Sequence, residues 1–70
     1  MQGKIMTVDR DRGFGFIRTA GGEEVFFHRT TLQQIDFDRL RKGDAVELAM
    51  VRSQNGLRAV RVYRARLQSA

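Results

Sequence analysis

The sequence predicts an all-β chain folded as a small five-stranded antiparallel barrel. Two observations lead there. Glycine-bearing polar breaks, Asp9–Gly13, Ala20–Glu24, Arg41–Asp44 and Ser53–Gly56, cut the 70 residues into short pieces. Between them lie strand-length segments in which apolar and polar residues alternate, and little of the chain reads as helix. A closed sheet also removes the exposed edges that invite aggregation.

The strands are expected at Lys4–Val8, Phe14–Arg18, Val25–His28, Ala45–Arg52 and Leu57–Tyr63. In the fourth, Val46, Leu48 and Met50 alternate with Glu47 and Ala49. In the fifth, Val60 and Val62 stand against Arg61 and Tyr63. Asn55-Gly56 between these two apolar runs is a strong hairpin signal. Thr30-Thr31-Leu32 fits a short helical turn, and Gln33 to Lys42 is a longer connection of mixed polarity. No repeat, proline or glycine-serine linker marks a boundary, so residues 1–70 are expected to be one domain, with its core at about 3–63 and a short tail at 64–70.

The stretch Arg12-Gly13-Phe14-Gly15-Phe16-Ile17 raises a question of faces. Successive strand side chains point to opposite faces, so Phe14 and Phe16 share one and Ile17 takes the other. In Val25-Phe26-Phe27-His28, Val25 and Phe27 are out of phase with Phe26 and His28. Ile5, Ile17, Val25, Phe27, Val46, Leu48, Met50, Val60 and Val62 then form a consistent core. Phe14, Phe16, Phe26 and His28 are left outside, where a barrel should be polar. A ring-bearing outer patch needs a reason. The reversed phase would bury His28 and expose Ile17, Val25 and Phe27.

Charge supplies part of that reason. Thirteen basic residues, mostly arginine, face eight acidic ones, for a net charge of +5. Arginine offers a planar fork for phosphate and a flat cation that stacks on rings. Such a balance fits a polyanion partner, or simply a soluble basic surface. There is no cysteine, which suits a reducing cytoplasm and leaves no thiolate metal site. No run approaches the length of a membrane span, and MQGKIMTVDR is too short and polar for a signal peptide. No membrane association is expected.

RGFGFI followed by VFFH at this spacing resembles the cold-shock domain family, whose first and second ribonucleoprotein motifs read KGFGFI and VFVH. The likeness continues through Gly3–Ile5, Thr30-Thr31-Leu32, Phe37, Leu40, Gly43, Val46, Gly56, Ala59 and Val62. The RNA-recognition motif shares the RGFGF signature but places its second motif upstream, and here VFFH lies downstream. The resemblance implies an oligonucleotide-binding barrel, single-stranded RNA or DNA as partner, and a role in RNA chaperoning or control of gene expression. It implies stacking positions at Phe14, Phe16, Phe26, His28 and Phe37. Base stacking on a ring is worth ~1–3 kcal/mol with little dependence on base identity.

The chain departs from the family pattern at three ring positions. Thr7 stands where the family carries tryptophan, and Val8 and Arg29 where it carries phenylalanine. Fewer rings and more cations are expected to balance, with Arg12 and Arg29 foremost and Lys4 and Arg18 beside them on phosphate. A monomer is expected.

An enzyme is not expected. His28 is the only histidine, the acids are scattered through turns, and no metal or cofactor constellation is present. Two rival readings remain open: a protein-interaction module that packs the ring patch against another chain, and an adaptor that meets the ribosome or structured RNA through arginine.

Overall fold

The computed structural model describes residues 1–65. Among these residues there are six strands: β1 (Gln2–Asp9), β2 (Phe14–Thr19), β3 (Glu24–His28), β4 (Leu32–Gln33), β5 (Ala45–Ser53) and β6 (Gly56–Arg64). Five of them are the expected strands, each a little longer than expected, and β4 is a two-residue addition. A 3-10 turn at Arg29–Thr31 follows β3, and a second lies in the long connection at Phe37–Arg39. The expected tail gives up Arg64 to β6, and residues 66–70 lie outside the described residues.

The five main strands close into a barrel around the circuit β3-β2-β1-β5-β6 and back to β3. Four seams are antiparallel and the fifth, between β3 and β6, is parallel. Strand direction cannot alternate all the way round a ring with an odd number of members, so one parallel seam is forced. That seam sets Phe26 beside Arg58.

Ile5, Ile17, Val25, Phe27, Leu40, Val46, Leu48, Ala59 and Val62 are buried inside. Ile17, Val25 and Phe27 are 0% exposed, so the expected phase of β2 and β3 is the one adopted. One expected core residue is corrected: Val60 is 40% exposed, whereas Met50, half-buried, packs against the core as expected. The cause is a β-bulge: Ala49 pairs with Arg61 and Met50 with Ala59, which leaves Val60 without a partner. A bulge inserts one residue and reverses the alternation beyond it. Ala59 therefore turns inward in Val60's stead, and Leu40 enters the core from the long connection.

The hairpin expected at Asn55-Gly56 forms, with Ser53 opposite Gly56. Only Gly56 in this loop has a positive φ, +117°, so the turn is not the primed type with both central residues left-handed. The Ser53 hydroxyl closes it by donating to the Gly56 carbonyl at 2.9 Å.

Arg10 ties the long connection to the β1–β2 turn. Its guanidinium donates to the Phe37 carbonyl at 2.8 Å and to the Leu40 carbonyl at 2.6 Å. Both acceptors sit at the second 3-10 turn, where the Phe37 carbonyl also accepts from the Leu40 amide at 3.2 Å. Arg10→Ala is therefore expected to cost roughly 1–2 kcal/mol in denaturant unfolding. Arg39→Ala, whose pair with Asp36 is open to solvent at 3.8 Å, should cost less than about 0.5 kcal/mol. Equal losses in the two variants would remove Arg10 from this role.

Candidate functional site

The outer face of β1, β2 and β3 carries three cross-strand rows. Register places Glu24, Arg18 and Lys4 in the first, Phe26, Phe16 and Thr7 in the second, and His28, Phe14 and Asp9 in the third. Residues directly opposite on neighbouring strands share a face, so each row runs across the sheet. Phe14, Phe16, Phe26 and His28 are all half-buried on this face.

A second bulge decides what β1 contributes. Ile5 pairs with Ile17 and Thr7 with Phe16, so Met6 is the extra residue. Past the bulge, Thr7 faces outward beside Phe16, and Val8 turns back to pack against the core. Of the two first-strand positions singled out in the sequence, only Thr7 belongs to the ring face. The β1 edge of the ring row therefore ends in a hydroxyl and a methyl.

Phe26 is the hub of the rings. Its centroid lies 5.4 Å from that of Phe14, tilted at 44°, and 5.7 Å from that of Phe16, edge-on at 70°. Such contacts hold aromatic rings in fixed orientation and leave their outer surfaces available. Phe37 joins neither pair. It is held in the second 3-10 turn, capped by the Asp36 carboxylate accepting from the Asp38 amide at 3.0 Å, and packs in part against the core.

His28 ends β3 and caps the turn that follows. Its Nδ1 accepts from the Thr30 amide at 3.2 Å and lies 2.9 Å from the Thr30 hydroxyl. The neutral ring then carries its proton on Nε2, leaving that N–H as a donor away from the turn. The Thr31 hydroxyl donates to the His28 carbonyl at 2.7 Å, which fixes the backbone there.

The cations differ in their freedom. Arg18 pairs across strands with Glu24 at 3.4 Å, and Arg12 lies 3.9 Å from Asp9, both pairs largely in solvent. Exposed pairs of this kind are worth little and yield readily to a stronger anion. Lys4 and Arg29 are exposed and in no ion pair among the described residues. The Arg29 stem lies across Gly13: a side chain begun at Gly13 would meet its Cδ at 3.2 Å. Arg29 thus borders Phe14 at the end of the ring row.

Sequence reasoning missed a groove of about 280 Å³ at the β3–β6 seam, lined by Phe26, His28, Thr30, Thr31, Arg58 and Val60. Finding it requires the parallel register of β3 and β6, which no local pattern announces. Among the described residues no cluster of potential metal ligands occurs, and no helix is long and apolar enough to cross a membrane.

A family model described as the 'Cold-shock' DNA-binding domain matches residues 1–65. The chain is 34% identical over 64 residues to the cold shock-like protein CspC of Bacillus cereus, covering 91% of this chain and 98% of that protein. It is 33% identical over 63 residues to the cold shock protein CspB of Bacillus caldolyticus, covering 90% and 96% respectively. Among solved structures it is similar to drosophila Unr CSD456, with a TM-score of 0.74 and 27% identity. That match covers 99% of this chain and 28% of the other, so the chain spans little more than a quarter of the fly structure.

Proposed function

Because the chain belongs to the cold-shock domain family, we propose that it binds single-stranded RNA or DNA on the β1–β3 face. The observation that carries this reading is the contiguous ring cluster of Phe14, Phe16 and Phe26, half-open to solvent and bordered by Lys4, Arg18, Arg12 and Arg29. An unstacked base has two apolar faces that water covers poorly, and a fixed phenyl ring covers one of them. A duplex keeps its bases stacked on one another and offers no face. Selection for single strands follows from that difference, and it is indifferent to sequence. Lysine and arginine beside the rings supply the phosphate contacts, which set register and add affinity. Phe37, off the cluster, takes a base only at the strand's far end. The domain acts as a monomer in the cytoplasm and performs no catalysis.

Titration with labelled oligo-dT, oligo-U and a duplex across several salt concentrations tests this. Tight binding of the single strands and weak binding of the duplex is the expected result. Phosphate contacts at Lys4 and Arg29, the two bordering cations in no ion pair among the described residues, predict a slope of log affinity against log salt of about −1.4, at roughly −0.7 per contact. Self-association with no oligonucleotide binding at low salt would favour a protein-interaction surface instead. Equal binding of duplex and single strand with a steep slope would favour an arginine-driven adaptor.

A further inference from the structure

We infer that the strand's path continues over the β3–β6 seam, where Arg58 holds the next phosphate beyond the base on Phe26. The inference rests on the single-strand reading and extends it to a residue of β6, across the parallel seam from β3.

Four observations converge. Phe26 and Arg58 are direct partners in the parallel seam, so their side chains stand side by side on the outer surface. Arg58 is exposed and in no ion pair among the described residues, so its guanidinium is uncommitted. The groove beside it holds no acidic side chain. Its walls combine apolar surface, from Phe26 and Val60, with the donor edge of His28. The bulge shapes this groove, because it is the bulge that turns Val60 outward to form the wall opposite β3.

The chemistry that fits is one further nucleotide unit. The sugar and base edge rest on Phe26 and Val60, and the phosphodiester meets the guanidinium fork. A nucleotide there is continuous with one stacked on Phe26, since both use the same ring from adjacent sides.

The test compares wild type, Arg58→Gln and Arg52→Gln on oligo-dT strands lengthened one nucleotide at a time, each at several salt concentrations. Arg52 is an exposed arginine at the hairpin end of β5 and serves as the charge-matched control. Arg58→Gln is expected to weaken binding of the longer strands about tenfold at low salt. It should lower the salt slope by about 0.7 and abolish the last step in the affinity-versus-length series. Arg52→Gln should leave both as in wild type. Thermal melts of all three confirm equal folding. If wild type binds and Arg58→Gln matches it in affinity, slope and length dependence, Arg58 is not on the path and only this inference falls. If the two variants lose affinity equally, the effect is general charge and the inference is again wrong. If wild type binds no single strand, the underlying reading fails and this one with it.

Discussion

Phe26→Ala is expected to weaken single-strand binding by at least the ~1–3 kcal/mol of one stacked base, which is roughly fivefold to over a hundredfold. The upper end is the better expectation, because Phe26 is the hub. Its ring touches both Phe14 and Phe16, at 5.4 and 5.7 Å. Removing it takes away one stacking surface and frees the two others to rotate off the sheet. A base that lands on an unfixed ring must first order that ring, at a cost in side-chain entropy. Phe16→Ala removes one ring from the edge of the cluster and should cost less. Phe26→Leu separates stacking from simple apolar cover: it keeps most of the buried area and the fold but offers no π face. Stacking predicts that leucine rescues thermal stability but not affinity. Wild-type affinity in Phe26→Ala, with an unchanged melting profile, would falsify the ring platform.

How much of this face is legible in the sequence depends on what each feature needs. The outward phase of Phe14, Phe16 and Phe26 is written locally. Period-two alternation on two strands, together with a glycine between two rings, allows one sensible choice of inside. The strand bounds are legible for the same reason, since polar, glycine-bearing breaks frame each run. The misreadings share a single cause. Val60, expected inside, is itself the unpaired residue of one bulge, and Val8, expected at a ring position, lies two residues past the other, at Met6. A bulge is a mismatch between two strands, and its place is set by the packing of both, so neither strand's own pattern shows it. Ala59 enters the core only as its consequence.

Tertiary bonds are hidden in a second way. Arg10 reads as one more surface cation near the ring patch, yet both of its strong hydrogen bonds reach carbonyls 27 and 30 residues away. Arg58 reads as a solvated residue of the last strand until the odd number of strands forces a parallel seam beside β3. The family likeness points to Phe14, Phe16, Phe26, His28 and Phe37, of which Phe14, Phe16 and Phe26 stand in ring contact and Phe37 apart. What it could not supply is how this chain's own arginines divide between holding loops together and standing free for phosphate.

Gly15→Ala is expected to be the most damaging small substitution for the fold, and it explains why the two phenylalanines are separated by glycine. A methyl at Gly15 would point into the barrel, where it would collide with the Thr7 carbonyl oxygen and lie 2.8 Å from the Phe27 ring. The first obstacle is backbone on the neighbouring strand and the second is a fully buried ring. Neither is the free end of a flexible side chain, so relief requires β1 and β2 to part or Phe27 to leave its place. Overpacking of this kind costs about 1–3 kcal/mol or more. A domain of this size has a total stability of only a few to about ten kcal/mol. Three kcal/mol corresponds to a fall in melting temperature of roughly 12–24 °C. Gly21→Ala is the matched control, because its methyl would meet only the Thr19 hydroxyl at 3.8 Å. It should leave the melting temperature nearly unchanged. Binding would suffer with folding in Gly15→Ala, since parting β1 from β2 carries Thr7 away from Phe16 and tilts the ring row. The close approach of Gly15 to β1 and Phe27 is what lets Phe14 and Phe16 stand together on one outward face with no side chain between them on the other. Similar melting temperatures for Gly15→Ala and Gly21→Ala would show that the barrel has slack at this crossing and that the spacing of the rings has another origin.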